Sequence, residues 1–197
     1  MKSRFKQILG TSCLGILLFV VPAFADDKAD LLKKIDELTA ELETYKAEEA
    51  QIKQNLALMR STDEAMNARD WDTFRIVHAK NVYVTSPDSP RPQKNVSVRL
   101  SVVKAFADAF PDHKIQLPYK AVLGSGQYVC AVHENGGTFT EPWHLPNGQV
   151  IPPTGKKYTM TMVTVGKIKD GKLVKEMIFY DTSTMMKQLG LMDQSGQ

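Results

Sequence analysis

The sequence predicts an α+β domain preceded by a long coiled-coil helix. Residues 27–60 contain no glycine or proline and carry apolar residues at a helical spacing. Two shorter amphipathic segments follow, and after them come strand-like segments separated by turns rich in glycine and proline. Helices that precede an antiparallel sheet are typical of the α+β class. A chain of 197 residues has room for one ordinary domain and an accessory segment.

The first 25 residues have the features of a secretory signal peptide. Lys2, Arg4 and Lys6 form a positive n-region, residues 8–21 are mostly apolar, and Ala23-Phe24-Ala25 is a small-x-small cleavage site. The apolar run is short for a membrane span and is interrupted by polar residues. We therefore expect export to the periplasm or out of the cell, with no stable membrane insertion after cleavage. An uncleaved N-terminal anchor is the alternative.

Removal of this leader leaves a chain of balanced charge. The whole sequence has 25 Lys and Arg against 22 Asp and Glu, and the leader holds three of the bases and no acid. The remainder has no basic tail, so nothing in its charge indicates nucleic acid as a partner. Cys130 is the one cysteine after the leader, so we expect no internal disulfide. We interpret it as a small core residue rather than a nucleophile.

Residues 26–60 are predicted to form a coiled-coil helix. The apolar residues follow alternating steps of four and three, a heptad pattern that Glu49 interrupts once. Glu41 and Lys46 occupy g and e positions, the pairing expected between parallel chains. We therefore expect self-association through residues 31–59, as a homodimer; the alternative is a long helix folded back on its own domain. The seam comprises Leu31, Ile35, Leu38, Leu42, Tyr45, Ile52, Leu56 and Met59.

The domain itself is placed at residues 61–192, with a short tail at residues 193–197. Asp170-Gly171 is a strong signal for a two-residue hairpin turn. Asn135-Gly136-Gly137 is interpreted as a bend, and residues 141–153, with four prolines, as a long loop. Helices are predicted over residues 71–78, 97–110 and 182–190. Strands are predicted over residues 81–85, 115–123, 127–134, 157–169 and 172–181.

The hairpin turn predicts which side chains share a face. A regular two-residue turn places Lys169 opposite Lys172 and Asp181 opposite Met160. Side chains alternate along a strand, so one face of the hairpin holds an apolar set with one carboxylate: Tyr158, Met160, Met162, Thr164, Met177, Phe179 and Asp181. We interpret this face as the wall of a pocket for a small, largely apolar ligand. The opposite face is a candidate dimer surface and carries Val163, Val165, Ile178 and Tyr180.

Short motifs in order along the chain resemble those of a known family. They are Asp70-Trp71-Asp72-Thr73-Phe74, Phe110-Pro111-Asp112, Gly137-Thr138, Pro152-Pro153-Thr154-Gly155-Lys156, Asp170-Gly171-Lys172, and Tyr180-Asp181-Thr182 with Gln188-Leu189-Gly190. On these motifs, residues 61–192 resemble the SnoaL-like polyketide cyclases, or ester cyclases, of the nuclear transport factor 2-like superfamily. The resemblance implies a cone-shaped half-barrel, in which a curved antiparallel sheet and helices enclose a pocket.

The resemblance also implies a chemistry. In these cyclases an aspartate at the end of the last strand is the acid–base group of an intramolecular aldol closure that uses no metal or cofactor. Asp181 matches that position, so it is the expected catalytic residue. From the residues themselves, His133 on a neighbouring strand or the hydroxyl of Tyr158 is its candidate proton partner. Trp143, in the proline-bearing loop, is a candidate lid over the pocket, although packing on the surface fits equally well.

Two functions therefore remain open from the sequence. The first is a cofactor-independent acid–base cyclase, isomerase or hydratase acting through Asp181. The second is a non-catalytic ligand-binding or assembly module, oligomerised by its coiled coil. In the second, Asp181 caps the terminal helix through the backbone N–H of Ser183 or Thr184, and His133 is a hydrogen-bonded wall residue. The remaining histidines show no metal-ligand spacing, so no metal is expected.

Overall fold

The computed structural model describes residues 12–89 and 91–192, and for residues 12–26 it describes the helical backbone alone. Residues 1–11 of the predicted leader and the predicted tail at residues 193–197 lie outside this range. The helices are α1 (Ser12–Ala68), α2 (Trp71–Val77), α3 (Val96–Ala109) and α4 (Thr182–Leu189). The strands are β1 (His78–Thr85), β2 (Gln93–Lys94), β3 (Lys114–Ile115), β4 (Ala121–Ser125), β5 (Tyr128–Thr138), β6 (Trp143–His144), β7 (Val150–Ile151), β8 (Lys157–Lys169) and β9 (Lys172–Phe179).

These elements confirm the predicted α+β class with its cone-shaped sheet and long N-terminal helix. The main sheet has the order β2-β1-β9-β8-β5-β3, and β4 pairs with β5. Its neighbours are antiparallel except for β1 and β9, which run parallel. Two helices pack on this sheet: α3 contacts β1, and α4 contacts β8. The sheet and the helices therefore enclose a space between them.

The chain divides into two compact units, residues 1–49 and 50–197, and α1 contributes to both. We call residues 50–192 the head domain; it begins earlier than Ser61, where the sequence analysis places it. In the N-terminal unit the seam residues stay between 52% and 64% exposed, and we call them the exposed seam: Leu31, Ile35, Leu38, Leu42 and Tyr45. Of the described helices, none combines the length and the apolar character needed to cross a membrane.

The last part of the predicted seam is used by the head domain itself. Met59 is 1% exposed and packs with a cluster from the sheet: Val129, Ala131, Ile168 and Leu173. Gly166 of β8 makes room for it, since a Cβ there would lie 2.6 Å from Met59 Cε. The segment predicted to self-associate, residues 31–59, therefore extends too far, because the sheet of the head domain already covers Met59 at its C-terminal end.

The hairpin between β8 and β9 starts as predicted and then shifts by one residue. Asp170 and Gly171 have φ angles of 51° and 66°, the conformation of a type I′ turn. The Lys169–Lys172 and Ile168–Leu173 pairs follow the regular register, but Lys167 pairs with Lys175. Val174 is thereby left without a partner in a β-bulge, which reverses the facing of every later residue of β9.

Two other predictions about the strands are wrong. The predicted bend at Asn135-Gly136-Gly137 is part of β5, where Gly137 pairs with Tyr158. A Cβ on Gly137 would lie 3.1 Å from His113 Cα, so these glycines permit close approach of the backbone rather than a turn. The predicted long loop contains β6 and β7, which pair as a small separate sheet.

Replacing Met59 with alanine should destabilise the head domain. Truncation of a buried methionine removes apolar contacts and leaves a cavity, which lowers the free energy of unfolding by about 2–5 kcal/mol. Chemical unfolding followed by circular dichroism measures the change. Leu42→Ala is the matched control on the same helix, because Leu42 is 52% exposed and should leave the unfolding of the head unchanged. An unaltered unfolding midpoint in Met59→Ala would contradict this packing.

Candidate functional site

A cavity of about 820 Å³ lies between the curved sheet and the helices of the head domain. This volume falls within the range of small-molecule sites. Its wall is mainly apolar, with side chains that include Met66, Phe106, Met160, Met162, Ile178 and Met185. The polar side chains among its lining residues include Asp63, Arg99, His133 and Glu176. A mainly apolar wall that also carries polar and charged side chains suits a largely apolar ligand held in one orientation.

Several residues singled out from the sequence line this cavity. They are Tyr158, Met160, Met162 and Thr164 of β8, His133 of β5 and Trp143 of β6. Trp143 is 8% exposed, and its ring lies 5.6 Å from the rings of both Phe106 and Phe110. It is therefore a packed part of the wall, and neither a loose lid nor a surface residue.

The prediction that Met177, Phe179 and Asp181 line the cavity is wrong. The bulge at Val174 turns Met177 and Phe179 to the outer face of the sheet, where Phe179 is 54% exposed. The residues that take their places in the wall are Glu176, Ile178 and Tyr180. Ile178 and Tyr180 were expected on the opposite face, which in fact carries Met177 and Phe179 beside Val163 and Val165.

Asp181 is an exposed helix cap. Its Oδ1 accepts from the backbone N–H of Thr184 at 3.1 Å, and its Oδ2 accepts from the Thr184 hydroxyl at 2.5 Å. These hydrogen bonds, led by the one from the Thr184 hydroxyl, hold the pKa of Asp181 below its ordinary value. The carboxylate therefore stays ionised and caps α4, the alternative that the sequence left open. It has no access to a ligand in the cavity.

His133 has both ring nitrogens occupied by protein groups. Nδ1 lies 2.5 Å from Asn135 Oδ1 and, because an amide oxygen only accepts, carries the proton. Nε2 lies 3.1 Å from Thr164 Oγ1 and accepts from its hydroxyl. Burial lowers the pKa of His133, which favours this neutral form. The ring therefore acts as a hydrogen-bonded part of the wall.

Tyr158 is similarly engaged. Its hydroxyl lies 2.7 Å from Nδ1 of His113, and both residues are buried. Burial lowers the pKa of His113 to about 4 and raises that of Tyr158. The pair is thus neutral near pH 7 and stabilises the junction of the sheet with the segment that follows α3.

Asp63 is a cavity carboxylate that the sequence analysis missed. It lies on α1 and accepts a hydrogen bond from the Tyr119 hydroxyl at 2.8 Å. Burial raises the pKa of Asp63 to about 7, against the opposing effect of the Tyr119 hydrogen bond. The sequence did contain a signal for this carboxylate. Asp63 follows Met59 by four residues and precedes Met66 by three, which places it on the same face of the helix as these methionines. An acid within the apolar stripe of a helix is unusual unless it has a buried role.

Glu176 and Asp88 are the other carboxylates among the lining residues; Asp88 is exposed, and Glu176 is buried. Its Oε2 lies 3.0 Å from Nη2 of Arg99 and 3.9 Å from Nε2 of His78. Burial alone would raise the pKa of Glu176, but the charge of Arg99 and the contact with His78 outweigh burial and lower it to about 2. Its negative charge also raises the pKa of Asp63. Glu176 is thus held ionised, whereas Asp63 can exchange a proton near pH 7.

Among the described residues, no cluster of three or more His, Cys, Asp or Glu side chains has the arrangement of a metal site. The side chains of the cavity supply a carboxyl with a pKa of about 7, an ion pair and several hydrogen-bonded neutral groups.

The sequence profile of the SnoaL-like polyketide cyclases matches residues 56–189, more than half of the chain. This protein belongs to the SnoaL-like polyketide cyclase family. The profile begins within α1 and ends at the last residue of α4, so it spans the elements that enclose the cavity. No curated protein matches the sequence.

Solved structures share the SnoaL-like fold. A protein from Jannaschia sp. CCS1, assigned to the SnoaL-like polyketide cyclases, is 17% identical with a TM-score of 0.62, covering 72% of this chain and 94% of that one. IdmH from Streptomyces antibioticus, assigned as a polyketide cyclase, is 25% identical with a TM-score of 0.56, covering 70% and 99%. AclR from Streptomyces galilaeus, assigned as a hydroxylase, is 16% identical with a TM-score of 0.60, covering 74% and 91%. The fold thus occurs with more than one assigned chemistry, and the site must identify the reaction.

Replacing Asp181 with alanine should lower the melting temperature without changing ligand binding in the cavity. The ionised carboxylate caps α4, and its depressed pKa means that this stabilisation is present above the unfolded-state pKa and is lost as the pH falls through the folded-state pKa. The difference in melting temperature between the two proteins should therefore shrink in acid. Asp181→Ser, which keeps a capping oxygen, should recover most of the loss. A changed affinity for a cavity ligand would contradict this assignment.

Proposed function

We propose that the head domain binds a small, largely apolar molecule in its cavity and moves a proton on that molecule with the side chain of Asp63. The observation that carries this proposal is that Asp63 and Glu176, two carboxyl groups in different protonation states, line the same cavity. Two carboxyl groups whose environments push their pKa values apart are a frequent mark of an acid–base site. Glu176 supplies a constant negative charge, and Asp63 changes its protonation near pH 7.

The other candidates are less suited to proton transfer. Asp181 is exposed and caps α4, while Glu176 is held ionised by Arg99. His133 uses both ring nitrogens within the wall. Asp63 has a single side-chain hydrogen bond, from Tyr119, and keeps lone pairs for a ligand. A general base also works best when its pKa lies near the working pH.

The simplest reaction for such a group needs no cofactor. Ionised Asp63 removes a proton from a carbon next to a carbonyl group, and the electron pair of that C–H bond moves to form an enolate. The enolate then either takes up a proton at a different atom, at its oxygen or at a conjugated carbon, which is an isomerisation, or its α-carbon attacks a second carbonyl carbon of the same molecule. In the second case, an aldol ring closure, protonated Asp63 returns its proton to the alkoxide. No atom is gained or lost, and the family supports this second outcome.

We further propose that the protein is exported and self-associates through the exposed seam. The leader-like residues 1–25 support export. The exposed seam supports association, because an apolar heptad stripe in water gains stability when a second copy covers it. A non-catalytic module held by this helix is the second candidate function. The observation that favours it is the engagement of His133 and Tyr158 by other protein groups, which leaves Asp63 without an obvious partner for a proton relay.

The role of Asp63 can be tested with 2-tetralone, a small ketone with acidic C–H groups. In deuterated buffer near pH 7 the wild-type protein should accelerate loss of the α-proton signals, because Asp63 removes those protons. Asp63→Asn should lower this rate by about 100-fold or more. Asp181→Asn is the matched control and should keep the wild-type rate. Equal rates in wild type and Asp63→Asn would contradict the proposal.

A measurement without ligand tests the state of Asp63 directly. In protein labelled with ¹³C at aspartate carboxyls, Asp63 should titrate at about pH 7. Tyr119→Phe should raise the pH at which Asp63 is half-ionised, because the Tyr119 hydrogen bond favours the ionised form. The raised pKa also means that the contribution of Asp63 to stability is largest below the unfolded-state value of 3.8 and is lost as the pH rises to about 7, a loss that Asp63→Asn should abolish. Titration of Asp63 near its ordinary value would refute both statements.

The association proposal predicts the effect of a charge within the exposed seam. Leu38→Asp combined with Leu42→Asp should convert a self-associated protein into monomers in analytical ultracentrifugation, since carboxylates in the seam repel and resist burial. The melting of the head domain should be unaffected, because neither residue belongs to it. Wild-type protein that sediments as a monomer at all concentrations would disprove the association.

A further inference from the structure

We infer that the wall formed by Gln93, Arg99 and Glu176 is a polar subsite that binds a hydroxyl group of the ligand. This inference rests on the proposed function, since it concerns the same cavity and the molecule bound there. It adds the chemical class of that molecule: an apolar body that carries an alcohol or enol hydroxyl, rather than a carboxylate or a pure hydrocarbon.

The sheet register brings Gln93 and Glu176 onto one face. Gln93 of β2 pairs with Val84 of β1, and Val84 pairs with Glu176 of β9. Residues paired across neighbouring strands project to the same side of a sheet, so both side chains extend over Val84. Their strands lie two spacings apart, about 9.5 Å, a gap that long side chains can narrow. Arg99 of α3 approaches from the helical side, with Nη2 at 3.0 Å from Glu176 Oε2.

Gln93 and Glu176 are buried, Arg99 is partly buried, and all three side chains line the cavity. Gln93 is 6% exposed and Glu176 4% exposed. Within the described residues, Gln93 Oε1 and Arg99 Nε have no protein hydrogen-bond partner, and Glu176 Oε2 has only its ion-pair contacts with Arg99 and His78. The Arg99–Glu176 ion pair engages Nη2 of the guanidinium, so Arg99 Nε and the amide oxygen of Gln93 remain free for a ligand. Buried polar groups in proteins are normally satisfied, so this wall is suited to a polar group from a ligand.

A hydroxyl matches this wall better than other small polar groups. It accepts a hydrogen bond from the Arg99 guanidinium and donates one to the Glu176 carboxylate or the Gln93 amide oxygen. A ligand carboxylate can only accept, and Glu176, held ionised beside Arg99, would repel it. A ketone oxygen also accepts only, so it satisfies the arginine and leaves the two acceptors of the wall unused. The order of preference is therefore hydroxyl, then ketone, then hydrocarbon.

Three probes of one shape test this order: 2-tetralol, 2-tetralone and tetralin. Their dissociation constants can be measured by ¹H–¹⁵N NMR shift titrations of the full chain. Wild-type protein should bind 2-tetralol about tenfold more tightly than tetralin, the gain expected from one hydrogen bond to a charged group. The ketone should lie between them.

Two variants separate the subsite from a merely structural role. The double variant Arg99→Met with Glu176→Leu removes both charges together, because removal of one alone would leave an unpaired buried charge. It should bind 2-tetralol and tetralin equally. Gln93→Leu should reduce the preference for 2-tetralol several-fold and leave the affinity for tetralin unchanged. Ile178→Val, elsewhere in the wall, should change the three affinities by a common factor and keep their ratio.

The outcomes distinguish this inference from the proposed function. Equal binding of 2-tetralol and tetralin by wild-type protein would overturn the subsite while leaving a ligand-binding cavity. An unchanged preference in both variants would also overturn it, since the hydroxyl would then bind elsewhere. Failure of all three probes to bind would overturn the subsite and ligand binding together. A preference that is lost in the double variant and retained in Ile178→Val would support the assignment.

Discussion

The one-residue bulge at Val174 determines which side chains of β9 face the cavity. With a regular hairpin, Lys175 would point to the inner face, opposite Gly166 and close to Met59. An unpaired ammonium group there would be costly to bury. The bulge turns Lys175 outward and brings Glu176 inward, where Arg99 compensates its charge. The same shift places Ile178 and Tyr180 in the wall.

The ion pair of Glu176 in turn influences the other acid of the cavity. A fixed negative charge and an apolar wall both disfavour ionisation of Asp63, and the Tyr119 hydroxyl limits the effect. The long helix α1 supplies Asp63 from the same face that carries Met59 and Met66 into the head domain. A helix that looks like an independent coiled coil therefore contributes both to the core and to the polar part of the cavity.

Family membership accounts for the fold and its cavity, whereas the chemistry depends on the side chains that line the cavity. The SnoaL-like fold accounts for a cone that encloses a ligand, and structures with this fold carry different assigned reactions. In this chain the aspartate expected from the family pattern is a helix cap, and a carboxyl group from another element occupies the cavity. Asp63, Gln93, Arg99 and Glu176 come from α1, from the consecutive elements β2 and α3, and from β9, three parts of the chain that are far apart in sequence but meet at the cavity.

The sequence by itself determined the α+β class, the family, the long helix, the Asp170-Gly171 turn and the apolar stripe of β8. These follow from local signals: periodicity, turn chemistry and short motifs. Only the tertiary structure decided that Val174 bulges, that Asp181 faces water, and that Asp63 and Glu176 share a cavity. A bulge depends on which side chains can be buried beside their neighbours, and a pKa depends on groups brought together by folding. Neither is encoded within a short stretch of residues.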